Sequence, residues 1–199
     1  MKASAERGRP KHDPDIASIR EQLRYNVESF HNGDSSSIDI VLTLRITNLV
    51  LQDLIDGYAR PYRLSAARSN VLFALYSAKN HTMPAHGLAD ALYNTRGNVT
   101  WLVDSLVEAG LVETNESQTD RRSKNVSLTR AGLALLKSFA PRHYGALDAT
   151  TSILTRAERK QLLQLLDKVR DRALEVAPQI VAGASAVREK PRRRTGSAI

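Results

Sequence analysis

Between Thr95 and Thr129 the chain reads TRGNVTWLVDSLVEAGLVETNESQTDRRSKNVSLT, and no other stretch restricts the possible folds as tightly. Val99, Leu102, Val103 and Leu106 recur at steps of three and four, so the first half is a helix with one apolar face. The other face carries Arg96, Asn98, Thr100, Trp101 and Ser105, side chains that hydrogen-bond or stack. Gly110 stops the helix. LVETNE and KNVSLT then flank a turn that holds Asp120, Arg121 and Arg122. The expected unit is a polar-faced helix followed by a two-stranded ribbon with an arginine tip. Such a helix fits a major groove, and the tip reaches a neighbouring minor groove.

The remainder narrows the class. The 199 residues suffice for one domain with a core or for two small ones. Many Leu, Ala, Arg and Glu residues with few Gly favour a mostly helical chain. Cysteine is absent, which removes disulfides, thiolate metal sites, cysteine nucleophiles and thiol redox sensing together. The opening MKASAERGRPKHD is charged and no apolar core follows it, so no signal peptide is expected. The most apolar run, Ile38 to Ala59, is broken by Asp39, Arg45, Asp53 and Asp56, so no membrane span is expected. Both readings point to the cytoplasm.

The formal net charge of +8 is concentrated at the ends. Residues 1–12 contribute +3 and residues 183–199 contribute +4, leaving +1 for residues 13–182. The high overall basicity therefore does not mark the folded body as a nucleic-acid binder. The local cluster Arg121, Arg122 and Lys124 does so better.

Asp13 and Pro14 are a helix start, with Ile16, Ile19, Leu23, Val27 and Phe30 as a narrow apolar stripe and Gly33 as the stop. A long helix is expected from about Ile38 to Tyr58 after a cap region at Ser35 to Ser37. Its apolar residues cover more than one face, and a partner subunit is a suitable cover. Ser65 caps a third helix with Val71, Leu72, Leu75 and Tyr76. A short helix at Ala85 to Leu92 follows Pro84, and Asn94 and Thr95 form a turn and cap before the helix described first. Thr129 opens a helix with Leu133, Leu136 and Phe139, which Pro141 is expected to kink or break. Thr155 to Glu158 is a capping box, and Leu162, Leu166, Val169, Ala173 and Val176 form a seam of about two heptads that Pro178 is expected to end.

From about Ile38 to Ala177 these segments resemble the MarR family of winged helix-turn-helix transcriptional regulators. The most specific part is Asp120-Arg121-Arg122, then Val126-Ser127-Leu128-Thr129, then Gly132. Leu88-Ala89, Val99-Thr100, Leu102-Val103-Asp104, Leu106 and Glu108 to Val112 match the scaffold helix, the recognition helix and its exit. The resemblance implies a mainly α fold with a small β wing, and a homodimer whose platform is built from N- and C-terminal helices. It divides the chain into a basic flexible tail (1–12), an additional helix (13–33), dimerisation and scaffold helices (34–80), a winged module (81–129), C-terminal dimerisation helices (130–178) and a second basic tail (183–199). It places Thr95, Arg96, Asn98, Thr100 and Trp101 at a major groove of double-stranded DNA. Arg122 stands at the position of the minor-groove arginine, Asp120 at that of the carboxylate orienting it, and Arg121 and Lys124 meet phosphate. Trp101 departs from the polar or basic residue frequent there, and the additional helix and the basic tails lie outside the family core.

The resemblance also implies a small-molecule effector, an aromatic acid, a phenol or a thioester, bound between dimer helices and winged module. Tyr58, Tyr62 and Arg63 offer stacking and a counter-charge there, and equally fit plain helix-end packing. His81 and His86 stand five apart across a proline, which is not a helix-face metal pair, so no metal is expected. Neither a nucleophile elbow nor a Gly-rich phosphate loop is present, so no enzyme and no cofactor are implied. The leading expectation is a ligand-responsive, sequence-specific repressor. The alternative is an architectural DNA-binding protein without an effector, suggested by the basic tails.

Overall fold

In the computed structural model, which describes residues 16–30, 36–116 and 124–188, the chain is mostly helical with one small sheet. Helices α1 (Ile16–Phe30), α2 (Ser36–Ala59) and α3 (Ala66–Ser77) precede strand β1 (Thr82–Pro84). Helices α4 (Ala85–Ala91) and α5 (Arg96–Glu108) lead to β2 (Val112–Glu116) and β3 (Lys124–Leu128), followed by α6 (Arg130–Thr151) and α7 (Arg156–Arg188). Asp13, Pro14, Gly33, Ser35, Asp120, Arg121, Arg122, the first basic tail and residues 189–199 of the second lie outside the described residues, whereas residues 183–188, expected to be flexible tail, continue α7. The chain divides into two units, Met1–Gly145 and Ala146–Ile199.

In the first unit, side-chain caps start α3 and α5. The Ser65 hydroxyl accepts from the Arg68 N–H at 3.2 Å, and an Asp56 carboxylate oxygen at the end of α2 accepts from the Ala66 N–H at 2.6 Å. Two donors left open at the start of α3 are thus satisfied. The core takes Val71, Leu72 and Leu75 from α3, Leu88 and Ala89 from α4, and Val99, Leu102, Val103 and Leu106 from α5. Val112, Val126, Leu136 and Phe139 complete it. Each large side chain buried there contributes about 1.5–3 kcal/mol. This burial clamps α5 by its apolar face and leaves the other face outward.

The sheet is antiparallel in the order β1-β3-β2, so the ribbon expected from the sequence gains a third strand. Thr82 pairs with Ser127, Met83 with Val126 and Pro84 with Asn125, and the Thr82 and Ser127 hydroxyls share a 2.8 Å hydrogen bond. Three residues are too few to show a strand period, and Pro84 is tolerated because β1 lies at an edge.

Pro141 does not break its helix: α6 continues through it from Arg130 to Thr151. Pro141 and Lys137 are both exposed, so water reaches the carbonyl that the proline leaves unpaired. Leu136, Phe139 and His143, buried on both sides, hold the helix together. His143 shares a 2.9 Å hydrogen bond with the Tyr58 hydroxyl, and burial lowers its pKa below the ordinary histidine value.

In the second unit, the Thr155 N–H donates to a Glu158 carboxylate oxygen at 2.7 Å and the Glu158 N–H donates to the Thr155 hydroxyl at 3.3 Å, the expected capping box. Pro178 does not end α7, which continues to Arg188. Leu162, Leu163, Leu165, Val169 and Leu174 leave α7 with exposed apolar surface. Among the described residues, no helix is long and apolar enough to cross a membrane.

Candidate nucleic-acid interface

Helix α5 begins at a short polar network. The Thr95 hydroxyl accepts from the Asn98 N–H at 3.3 Å, and the Asn94 carboxamide oxygen accepts from the Thr95 N–H at 2.8 Å and from the Asn98 side-chain amide at 2.9 Å. Asn98 therefore keeps one amide N–H and its carbonyl oxygen for an outside partner, enough for a two-point contact with an adenine edge. Thr100 donates its hydroxyl proton to the Arg96 carbonyl at 2.9 Å, leaving its oxygen lone pairs and its methyl group outward. Arg96 is exposed. Trp101 is 66% exposed, although Val99, Leu102 and Val103 around it are buried. Thr95, Arg96, Asn98, Thr100 and Trp101 are thus all exposed on the one helix, as the sequence predicts.

Ser105 differs from expectation. It is half-buried, its hydroxyl donates to the Leu102 carbonyl at 2.8 Å, and its own carbonyl accepts from Arg68 at 3.3 Å. It belongs to the packing between α3 and α5, not to the outward face.

Gly110, at φ 69°, turns the chain from α5 into the ribbon. Its N–H donates to the Val107 carbonyl at 2.8 Å and that of Leu111 to the Leu106 carbonyl at 2.9 Å, a Schellman end. The ribbon then pairs Val112 with Leu128 and, at its far end, Glu116 with Lys124. Lys124 is exposed. Asp120, Arg121 and Arg122 lie outside the described residues.

Other candidates have structural roles. The Tyr58 and Tyr62 rings pack on Phe139 at centroid distances of 6.0 and 5.2 Å, which is the helix-end packing alternative. Arg63 is exposed in a left-handed conformation. His81 stacks on Tyr76 at 5.1 Å with its Nδ1 2.9 Å from the Tyr76 carbonyl. No three His, Asp or Glu side chains converge as metal donors among the described residues. Sequence reasoning passed over Tyr93, which is 84% exposed with φ 48° in the turn between α4 and α5. A non-glycine residue cannot be read as left-handed from its type alone.

A model of the MarR family matches residues 64–123. The HTH-type transcriptional repressor YetL of Bacillus subtilis (strain 168) is 26% identical over 162 residues, covering 81% of this chain and 95% of its own. The transcriptional repressor MprA of Escherichia coli (strain K12) is 34% identical over 101 residues, covering 51% of this chain and 57% of its own. A crystal structure of a mutant MarR from E. coli complexed with operator DNA is 26% identical, with a TM-score of 0.63, covering 69% of this chain and 99% of that one.

Proposed function

The chain belongs to the MarR family of DNA-binding transcriptional regulators, and from that premise we propose that it acts as a homodimeric, sequence-specific repressor released from its operator by a small aromatic ligand. The observation that carries the reading is the outward face of α5. Asn98, Thr100 and Trp101 stand exposed on a helix whose other face is locked into the core. A rigid helix with free hydrogen-bonding groups and an exposed aromatic is suited to base edges. Lys124 and Arg121 would neutralise phosphates, and Arg122, oriented by Asp120, would enter a narrow minor groove.

The exposed apolar residues of α7, together with Leu49, Val50 and Leu54 on α2, support a second subunit. A two-fold dimer reads a pseudo-palindrome with half-sites about 34–36 Å apart. An aromatic acid, phenol or thioester is the proposed effector class, and stabilisation of the dimer in a thermal-shift panel of such compounds is the expected result.

Gel shift with DNA from upstream of the chain's own gene tests the core of the proposal. A retarded band that unrelated duplexes displace about 10³-fold less well is expected. Equal competition by any sequence would favour an architectural role instead. Arg122→Ala should weaken operator binding by about 1–3 kcal/mol, and unchanged affinity would reject the wing assignment.

A further inference from the structure

Helices α4 and α5 end in the same backbone motif with opposite residue choices. At the end of α4 the Tyr93 N–H donates to the Asp90 carbonyl at 3.2 Å and the Asn94 N–H to the Ala89 carbonyl at 3.0 Å. The end of α5 repeats both bonds with Gly110 and Leu111. The residue after the cap must be left-handed in this motif, and glycine accepts that without a Cβ penalty. Gly110 fills the position in α5 at φ 69°, whereas Tyr93 fills it in α4 at φ 48°.

Nothing within the described residues rewards the tyrosine. Its side chain is 84% exposed and its hydroxyl has no partner among them. Among the other left-handed residues, the His81 ring stacks on Tyr76 and bonds its carbonyl, Asn80 is a type that tolerates the conformation, and the Arg63 carbonyl accepts from the Arg68 guanidinium at 2.9 Å. An uncompensated local choice of this kind marks a site that works toward something outside the chain.

The position names that partner. Tyr93 directly precedes Asn94, whose carboxamide is bonded to Thr95 and Asn98 in the first turn of α5. The strained turn therefore carries an exposed phenol beside the helix assigned above to the groove. A phenol is a neutral donor of the kind that bonds phosphate oxygens and sets the register of a protein on a duplex. We propose that Tyr93 is a further DNA-contacting residue, its hydroxyl donating to a backbone phosphate beside the groove that α5 enters. The inference rests on the DNA-binding reading of α5 and adds a contact to it.

The test uses the full chain and a duplex that the wild-type chain has enriched from randomised DNA, with affinity read by fluorescence anisotropy and stability by thermal melting. Tyr93→Phe removes only the hydroxyl; it should melt as wild type and bind about threefold to tenfold more weakly. Tyr93→Gly relieves the backbone; it should melt about 2–4 °C higher while binding at least as weakly as the phenylalanine variant. The salt dependence of binding should be unchanged in both, because no cation is lost, unlike in Arg122→Ala. A purely structural tyrosine would not produce higher stability with lower affinity. Wild-type affinity in both variants overturns the inference. Failure of the wild-type chain to enrich any duplex refutes the DNA-binding reading itself, and the inference with it, before a variant is made.

Discussion

Gly132 offers the sharpest test of how the winged module is assembled. It is buried in the first turn of α6, where its N–H donates to the Thr129 hydroxyl at 3.0 Å. A Cβ added there would stand 2.0 Å from the Leu111 carbonyl oxygen and 2.9 Å from its carbon. Ordinary contact begins at 3.4 Å, so the two backbones would have to part by about 1.4 Å. Leu111 has little freedom to yield. Its oxygen accepts from the Thr129 N–H at 3.1 Å, and the Thr129 hydroxyl donates to the Gly110 carbonyl at 2.7 Å. Overpacking of a core costs about 1–3 kcal/mol, and a backbone-on-backbone clash lies at or above the top of that range. At about 2–4 °C per kcal/mol for a chain of this length, Gly132→Ala should melt roughly 6–12 °C lower. Gly145 lies in the same helix with nothing within 4 Å of an added Cβ, so Gly145→Ala is the control. It should melt slightly higher, because alanine is the better helix former by about 0.5–1 kcal/mol. Both variants should be melted at one protein concentration, since association shifts apparent stability. A Gly132→Ala protein that melts within 2 °C of wild type would refute the close approach of α6 to the ribbon entrance.

Two further outcomes follow from the burial of His143 and the exposure of Trp101. His143 is 6% exposed and burial holds its pKa below the ordinary value, so the unfolded chain binds its proton more readily than the folded one. That stability is present above a pH of about 6.5 and is lost as pH falls toward the lowered folded value. Melting temperature should decline on acidification through this window, and His143→Gln should flatten the decline; an unaltered pH profile would refute the assignment. Trp101 has only an indole N–H donor and a large apolar face, so a thymine methyl group is its natural partner in a major groove. Replacing thymine by uracil at single operator positions should weaken binding at the position facing Trp101, and the loss should vanish in Trp101→Ala; uniform tolerance of uracil would exclude that contact.

Much of the module was legible because its signals are local. Ser65, Thr95 and the Thr155–Glu158 box each cap a helix within three or four residues, and Gly110 stops one, so type and spacing suffice to read them. The apolar positions of α5 likewise follow from its period, and with them the exposed face of Arg96, Asn98, Thr100 and Trp101. Asp120, Arg121 and Arg122 remain a reading of the sequence and the resemblance alone. Long-range contacts had no such signal. The third strand exists because Thr82 meets Ser127, and Ser105 turns inward because Arg68 reaches its carbonyl. Pro141 reads locally as a kink or a break and Pro178 as an end, yet neither terminates its helix: α6 and α7 continue through them.

By itself, then, the sequence determined where helices begin, which stripe of each is apolar, and which polar residues α5 can present, since these depend on neighbours within about one turn. Only the tertiary structure decided why residue 132 is glycine, why burial beside Tyr58 lowers the pKa of His143, and that the tyrosine in the turn before α5 is left uncovered. Those outcomes depend on groups brought together from distant parts of the chain, and residue spacing carries no record of that distance.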